Sequence, residues 1–194
     1  LKLQGELTLQ KNEMTYGESW SALQFKEAKF VDEDTGEEIV GTLVWNDPDY
    51  KPEVGERLAE WTFTPDNVEY ASYIGYTTVT VNKAVPQIVL TPDPSEQTYR
   101  TSAYSREILN GLSKNPGFVI GVDNQQIGGI WKWEDVNWTP TVGQSERRVY
   151  FEPLDTQHYE NSAMETVTLI VKKAKPYIQM KPQVSSYTHG DTLY

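Results

Sequence analysis

The same pattern of residues occurs twice in this chain, and the internal repeat constrains the fold more than any other feature of the sequence. The two copies are offset by 88 residues at most matched positions and by 90 near their ends, as two single-residue insertions in loops would explain. Each copy is longer than the about 20–50 residues of a solenoid repeat, so we expect each to form its own hydrophobic core. The matched segments are 41–47 with 129–135, 52–55 with 140–143, 63–65 with 151–153, and 83–86 with 173–176.

The repeat predicts two domains and the start of a third. Unit one covers residues 1–84 and unit two covers residues 85–174, while residues 175–194 are predicted to be a linker and the first strand of a further unit. The Lys-Ala-x-Pro segments at the ends of both units have the character of short linkers, because proline favours an extended chain. We therefore expect a monomeric, elongated array. The tyrosines that follow the opening apolar run of each unit are Tyr16, Tyr99 and Tyr187.

Short runs of alternating inward and outward positions fill both units. Ala59, Trp61 and Phe63 fall on one face of an extended chain, as do Val79 and Val81. Alternation with a period of two, in short runs separated by turn residues, is typical of half-buried antiparallel strands. About seven such strands per unit predict an all-β fold of two immunoglobulin-like β-sandwich domains in tandem.

One segment of unit two breaks this alternation. In residues 102–113 the apolar side chains of Tyr104, Ile108 and Leu112 recur at helical spacing, and Pro116 follows as a stop signal. The sequence therefore allows one short helix in the second domain.

The order of motifs within a unit is distinctive. Tyr-Gly at 16–17 is followed by Gly-x-x-x-Trp at 41–45, and then by Pro-x-Val-Gly, Phe-x-Pro and Val-x-Val-x-Lys-Ala-x-Pro. This order resembles the tandem bacterial immunoglobulin-like repeats of cell-surface adhesins. Unit two departs from it at its opening, where Arg100 replaces the glycine that follows the tyrosine. The resemblance implies an extracellular protein of the bacterial cell surface or cell wall, with many such modules in series.

The chain is strongly acidic. It has 17 Lys and Arg residues against 28 Asp and Glu residues, a net charge of −11 and a sequence pI near 4.6. A protein that binds a nucleic-acid backbone or an anionic membrane needs a basic surface, so we expect neither partner. No apolar run approaches the roughly 18 residues of a membrane span, so we expect no membrane insertion. Because the chain has no cysteine, disulfides and thiolate sites are excluded.

No arrangement of residues in the sequence points to catalysis. Neither His158 nor His189 has a nucleophile, an orienting carboxylate or a second metal ligand at a diagnostic spacing. We therefore expect no catalytic residue, no metal site and no cofactor, and a structural or solvent-exposed role for His158. The acidic segment 32–38 begins like a calcium loop but lacks the later ligands. A hairpin turn with Gly36 at positive φ is favoured there, and weak calcium binding stays open.

Repeat-matched aromatic residues are predicted to be structural. Trp45 and Trp133 flank an inward position, which favours a place in the core for both. Tyr70 and Tyr159 precede the last long strand of each unit, which suggests a tyrosine corner whose hydroxyl bonds back to nearby backbone. Trp138 lies in a proline-containing turn and is either exposed or packed on the proline.

The resemblance to surface adhesins also raises the question of a covalent crosslink, since such proteins often contain Lys–Asn isopeptide bonds. Lys11 and Asn82 are a candidate pair in unit one. Unit two has Lys172 where unit one has Asn82, so the pair is not repeated.

Three functions from different classes remain. The first is an adhesin module that binds a host protein, with immunoglobulin as one target, or a host glycan. The others are a purely structural stalk or spacer and an accessory module of a secreted carbohydrate-active enzyme. The units diverge most between 17–40 and 100–128, which keeps a binding role open, although a helix at 102–113 would equally close one end of the sandwich. The predicted partner-binding residues are Arg100, Tyr104, Arg106, Glu107, Asn110 and Trp138.

Overall fold

The computed structural model describes residues 2–94, 96–99, 115–135, 137, 140–180 and 189, which form β-strands and the loops between them. Unit one contains β1 (Leu3–Leu9), β2 (Glu13–Thr15), β3 (Phe25–Asp32), β4 (Gly41–Trp45), β5 (Gly55–Pro65) and β6 (Tyr73–Asn82). Unit two contains β7 (Gln87–Leu90), β8 (Gln97–Thr98), β9 (Phe118–Ile120), β10 (Gly129–Trp133), β11 (Gly143–Pro153) and β12 (Glu165–Lys172). A turn of 3-10 helix, Trp20–Ala22, lies between β2 and β3.

Unit one is a sandwich of two β-sheets. Its larger sheet has the strand order β2-β6-β5-β4, and its smaller sheet pairs β1 with β3. β2 runs parallel to β6, whereas the other neighbouring strands are antiparallel. Because β1 and β2 belong to different sheets, the start of the chain crosses from one layer to the other. Residues 2–84 thus form six strands, compared with the seven or so predicted from the sequence.

Unit two repeats this topology strand for strand. Its larger sheet has the order β8-β12-β11-β10, with β8 parallel to β12, and its smaller sheet pairs β7 with β9. The prediction of an all-β fold with two immunoglobulin-like β-sandwiches in tandem is confirmed. The short helix predicted at 102–113 lies outside the described residues. In the described part of the chain, no helix is both long enough and apolar enough to span a membrane.

One group of aromatic rings in the core of unit one is made up of Phe30, Trp61, Phe63 and Tyr73. The ring of Phe30 stacks on the ring of Phe63, with centroids 3.7 Å apart, and meets Trp61 edge-on at 5.8 Å. Trp61 also stacks on Tyr73. Gly75 lies opposite Trp61 in the β5–β6 register, and a side chain at Gly75 would overlap the Trp61 ring. The packing of Trp61 in the core therefore requires glycine at position 75.

Smaller residues occupy the matched positions in unit two. Val149 stands 88 residues after Trp61, and Val119 takes the place of Phe30. Both valines are buried, with exposed fractions of 0% and 2%. Trp131 packs edge-on against Phe151, with centroids 5.4 Å apart. The two units therefore share a topology but fill their cores with side chains of different size.

The tryptophans that the repeat assigned to the core are buried as predicted. Trp45, Trp61 and Trp133 lie in the cores of their units. Trp131, which was also interpreted as a core residue, is half-buried and packs against the core of unit two. Trp138 lies outside the described residues.

Candidate functional site

The segment predicted to be a linker between the units is part of a contact between them. Ala84 is buried and forms a parallel bridge with Tyr159 of unit two. The Ala84 N–H donates to the carbonyl of His158 at 2.9 Å, and the N–H of Glu160 donates to the carbonyl of Ala84 at 2.9 Å. The units are therefore not joined by a free tether, because backbone hydrogen bonds of β type fix the end of unit one to a loop of unit two.

Aromatic stacking reinforces this contact between the units, which we call the joint. The joint consists of Tyr16, Gly17, Glu53 and Ala84 of unit one and Val122, Asp155, His158 and Tyr159 of unit two. The ring of Tyr16 stacks on the imidazole of His158, with centroids 4.4 Å apart and planes 18° from parallel. Tyr16 also meets Tyr159 edge-on at 5.9 Å. Gly17 has a φ of 93°, and a side chain there would collide with Val122. The Tyr-Gly motif of unit one thus contributes the Tyr16 ring that stacks on His158 and a glycine, Gly17, that lets the backbone of unit one come close to Val122.

His158 connects the units through both of its ring nitrogens. Its Nδ1 lies 2.7 Å from the Oδ2 of Asp155 in the same unit, and its Nε2 lies 2.5 Å from the Oε2 of Glu53 in unit one. The other carboxylate oxygen of Asp155 accepts the backbone N–H of His158 at 3.1 Å. Ionised carboxylates only accept hydrogen bonds, so this geometry favours the imidazolium form, in which both ring nitrogens are donors.

The electrostatics of the joint agree with a charged imidazole. The hydrogen bond that His158 donates to Asp155 raises the pKa of His158, partial burial opposes that rise, and the hydrogen bond to Glu53 adds to it. The hydrogen bond with His158 lowers the pKa of Asp155. Burial, followed by the charge of Glu53, raises the pKa of Tyr16. When protonated, His158 is a cation between two carboxylates, one from each unit. The structural role expected for His158 stays a prediction that this geometry supports.

The predicted tyrosine corners take two different forms. In unit two the hydroxyl of Tyr159 accepts the backbone N–H of Val122 at 3.2 Å, which is the backbone contact that was expected. In unit one the hydroxyl of Tyr70 donates instead to the carboxylate of Asp32 at 2.8 Å. The expectation of a backbone partner is therefore corrected for Tyr70. Its partner is a side chain because β3 of unit one ends with an acidic residue, Asp32, on the inward face.

The acidic segment 32–38 forms a closed turn. The Oδ1 of Asp32 accepts the backbone N–H groups of Asp34 and Thr35 at 3.0 and 2.8 Å, and Gly36 has a φ of 72°. Asp32 is only 1% exposed, and both of its oxygens are engaged within the protein. These contacts match the hairpin turn favoured from the sequence. Within the described residues, no group of three or more His, Asp or Glu side chains is placed to hold a metal ion.

Two of the open clefts in the described part of the chain bear on the sequence predictions. The first, about 400 Å³, lies in unit one and has a largely polar lining that includes Lys11, Glu13 and Asn82. The amide of Asn82 donates to the carboxylate of Glu13 at 3.4 Å. A covalent bond between Lys11 and Asn82 stays a prediction. The second cleft, about 330 Å³, lies in unit two beside Trp131.

None of the side chains predicted to bind a partner can be placed, because they all lie outside the described residues, and their roles stay predictions. Sequence reasoning missed the joint itself. A signal was present in that His158 stands where unit one has Glu69, directly before a repeat-matched tyrosine. The predicted partner-binding residues that lie outside the described part of the chain are Arg100, Tyr104, Arg106, Glu107, Asn110 and Trp138.

Comparison with known proteins adds little to this description. No family model matches the chain, and none of the curated proteins matches it. Among solved structures, the fibronectin(III)-like modules of CbhA from Clostridium thermocellum are 11% identical and cover 92% of this chain and 100% of their own, with a TM-score of 0.24. A TM-score this low supports no conclusion about the fold or the function of this chain. The strand order and the two cores themselves define a tandem immunoglobulin-like β-sandwich protein.

Proposed function

We propose that the chain is a non-enzymatic part of an extracellular bacterial surface protein, in which tandem immunoglobulin-like units form a stalk with a fixed angle at each joint. The observation that carries the proposal is the pairing of Ala84 with Tyr159. A stalk positions what it carries only if its units do not pivot freely. Domains joined by a small interface usually move relative to each other, so specific contacts are needed to restrict them.

The contacts of the joint restrict motion in complementary ways. The backbone hydrogen bonds of Ala84 fix the position of the loop, and the stacked rings of Tyr16 and His158 oppose rotation of one unit against the other. The ion pair between His158 and Glu53 adds an attraction that is only partly exposed to solvent. A surface ion pair alone contributes little, but here it is coupled to packed rings.

The chemistry of the described residues supports a structural role. The imidazole of His158 is held on both sides by carboxylates and covered by an aromatic ring, which suits a role in joining the units. The net charge of −11 favours solubility and disfavours self-association in an array of many units. The resemblance of the motif order to adhesin repeats supports a location at the cell surface or cell wall.

A second candidate function is that of an adhesin module, with a host protein such as immunoglobulin or a host glycan as its partner. The observation that favours it is an apolar patch on the outer face of the larger sheet of unit one. Leu58, Ile74 and Tyr76 lie on this face and are 65%, 57% and 59% exposed. Contiguous exposed apolar residues are typical of interaction surfaces. An accessory role beside a carbohydrate-active enzyme would use the same two-unit scaffold.

Distance measurements between the units test the stalk proposal. The chain has no cysteine, so spin labels can be attached at Glu27→Cys in unit one and Thr168→Cys in unit two, both exposed. We expect a narrow distance distribution that broadens when Tyr16→Ala is added. The matched control is Tyr99→Ala, the same tyrosine of unit two, which should leave the distribution narrow. A distribution that is broad in the unaltered chain contradicts a fixed joint.

The adhesin candidate needs a separate measurement. Immobilised chain should retain purified immunoglobulin, and Leu58→Glu with Ile74→Glu should abolish retention while the distance distribution stays narrow. Retention that is unchanged by these substitutions excludes the outer face of unit one as the binding surface.

A further inference from the structure

Unit two contains an open cleft whose lining is unusual for a structural module. The cleft has a volume of about 330 Å³, at the lower end of the range of about 300–1,000 Å³ in which proteins bind small ligands. It is formed by residues 116–119 and 126–131 with Phe151. No Asp, Glu, Lys, Arg or His belongs to these lining residues, so the cleft has no charge of its own to attract an ionic ligand.

The repeat explains why this space is open in unit two. The N–H of Ile39 donates to the carbonyl of Phe30 in unit one, and the N–H of Ile127 donates to the carbonyl of Val119 in unit two, so Phe30 and Val119 occupy matched positions. The Phe30 ring covers Phe63 at 3.7 Å. Val119 has no ring to cover the matched Phe151, which therefore lines the cleft.

The aromatic walls of the cleft are accompanied by exposed polar backbone. Trp131 replaces the leucine of unit one and is half-buried. Its indole N–H donates to the carbonyl of Pro116 at 2.8 Å, so the indole is held in place and contributes its ring rather than its N–H to the cleft. The carbonyl of Gly128 accepts the N–H of Leu154 at 3.0 Å, whereas Gly129 lies on the edge strand β10. The exposed amide of Gln126 adds a donor and an acceptor to the rim.

We propose that this cleft binds one residue of a neutral sugar. The C–H face of a pyranose packs on an aromatic ring, and its hydroxyl groups pair with amides and carbonyls at the edge of the ring. Trp131 supplies the aromatic surface, with the buried Phe151 packed behind it. Gln126 and the backbone of Gly129, which lies on the edge strand β10, supply the hydrogen-bonding rim. The apolar side chain of a partner protein fits less well, because it would leave the donors and acceptors of the rim without partners. This binding site goes beyond the stalk function and does not depend on it.

Titration of the full chain with neutral sugars tests the proposal. The probes are glucose, galactose, N-acetylglucosamine and their β-linked disaccharides, followed by amide chemical shifts and tryptophan fluorescence. We expect at least one probe to shift the amide signals of Gly128 and Gly129 and the indole signal of Trp131. Gly128→Val and Trp131→Leu each introduce the residue found at the matched position of unit one, Val40 or Leu43. Each substitution should weaken binding at least about tenfold.

Controls separate loss of the site from loss of folding. Tyr150 lies on the opposite face of β11, so Tyr150→Ala should leave the affinity unchanged. A side chain at Gly128 would meet only the flexible end of Leu154, so Gly128→Val should keep the native melting temperature. The proposal is overturned if no neutral sugar shifts these signals, if Gly128→Val binds as tightly as the native chain, or if only charged sugars or apolar peptides bind. The distance distribution between the units should be the same in Gly128→Val, so failure here leaves the stalk proposal standing.

Discussion

The hydroxyl of Tyr70 donates to the carboxylate of Asp32 at 2.8 Å, and the same carboxylate closes the turn after β3. The hydrogen bond to Asp32 raises the pKa of Tyr70 to about 12. The backbone N–H of Thr35 and then the Tyr70 hydroxyl lower the pKa of Asp32. The matched Tyr159 accepts an N–H from uncharged backbone. The corner of unit one is therefore sensitive to pH, whereas the corner of unit two has no ionisable partner for its tyrosine.

We predict that Tyr70→Phe lowers the melting temperature of unit one by several degrees near neutral pH, because the buried carboxylate loses a donor. Asp32 has a lowered pKa in the folded state, so its contribution is present above its ordinary value of 3.8 and is lost as the pH falls through the lower folded value. Tyr70 has a raised pKa, so its contribution is complete below 10 and is lost as the pH rises through about 12. Calorimetry of native and variant chains across this range should show the difference shrinking at both extremes. A difference that is the same at every pH contradicts the assignment.

The joint should be tightest in mildly acidic solution. The pKa of His158 is raised above 6.5, so its stabilising charge is fully present below about pH 6.5 and is lost as the pH rises through the raised value. The pKa of Asp155 is lowered below 3.8, so its contribution is lost only in strong acid. The other ionisable groups around the ring, among the described residues, are Tyr16, Tyr159, Asp123 and Glu53.

Distance distributions between spin labels in the two units check this pH dependence. We expect the distribution to be narrow near about pH 5 and broader near about pH 9, and His158→Gln should remove the dependence. Glu69→Gln changes the matched residue of unit one, which is not at the joint, and serves as the control. An unaltered pH response in His158→Gln would mean that another group governs the joint.

Trp133 should be one of the most sensitive positions of unit two. It is 2% exposed and lies in the core formed by β10, β11 and β12. Trp133→Ala should destabilise unit two by about 3–5 kcal/mol, because the surrounding sheet cannot close the resulting cavity. Ile130→Ala on the same strand is the comparison, since Ile130 is 52% exposed and should cost less than about 1 kcal/mol. Denaturant unfolding of both variants measures the two values.

The glycine of the Pro-x-Val-Gly motif should be required by its backbone conformation alone. Gly55 has a φ of 111° and the matched Gly143 has a φ of 124°, and nothing lies within 4 Å of a side chain built at either position. Gly55→Ala should therefore cost about 1–3 kcal/mol through strain and not through a clash. Gly128→Ala, at a glycine without positive φ, is the control. Equal unfolding free energies for Gly55→Ala and the native chain would contradict this explanation.

The internal repeat allowed much of the fold to be predicted, because a two-residue period and a constant offset determine which side chains face inward and which strands correspond. Asp32 shows where this reasoning stopped. It follows Phe30 by two residues and shares its inward face, but the acidic segment 32–38 was interpreted as a hairpin turn without a buried member. The contacts between the units depend on the orientation of one unit relative to the other. The residue pattern within a unit does not determine that orientation. The contact of Glu53 with His158 could therefore not be found from the sequence.

The parallel pairing of β2 with β6 determines how unit one responds to mechanical load. β2 lies near the start of the unit and β6 at its end, and the two strands are side by side. The N–H of Tyr16 donates to the carbonyl of Asn82 at 2.8 Å, and the N–H of Thr80 donates to the carbonyl of Asn12 at 2.9 Å. When the two ends of the unit are pulled apart, these strands are drawn in opposite directions along their own axes. The hydrogen bonds between them are then loaded in shear and share the load, whereas β1, which precedes β2 and pairs with β3, bears the tension first.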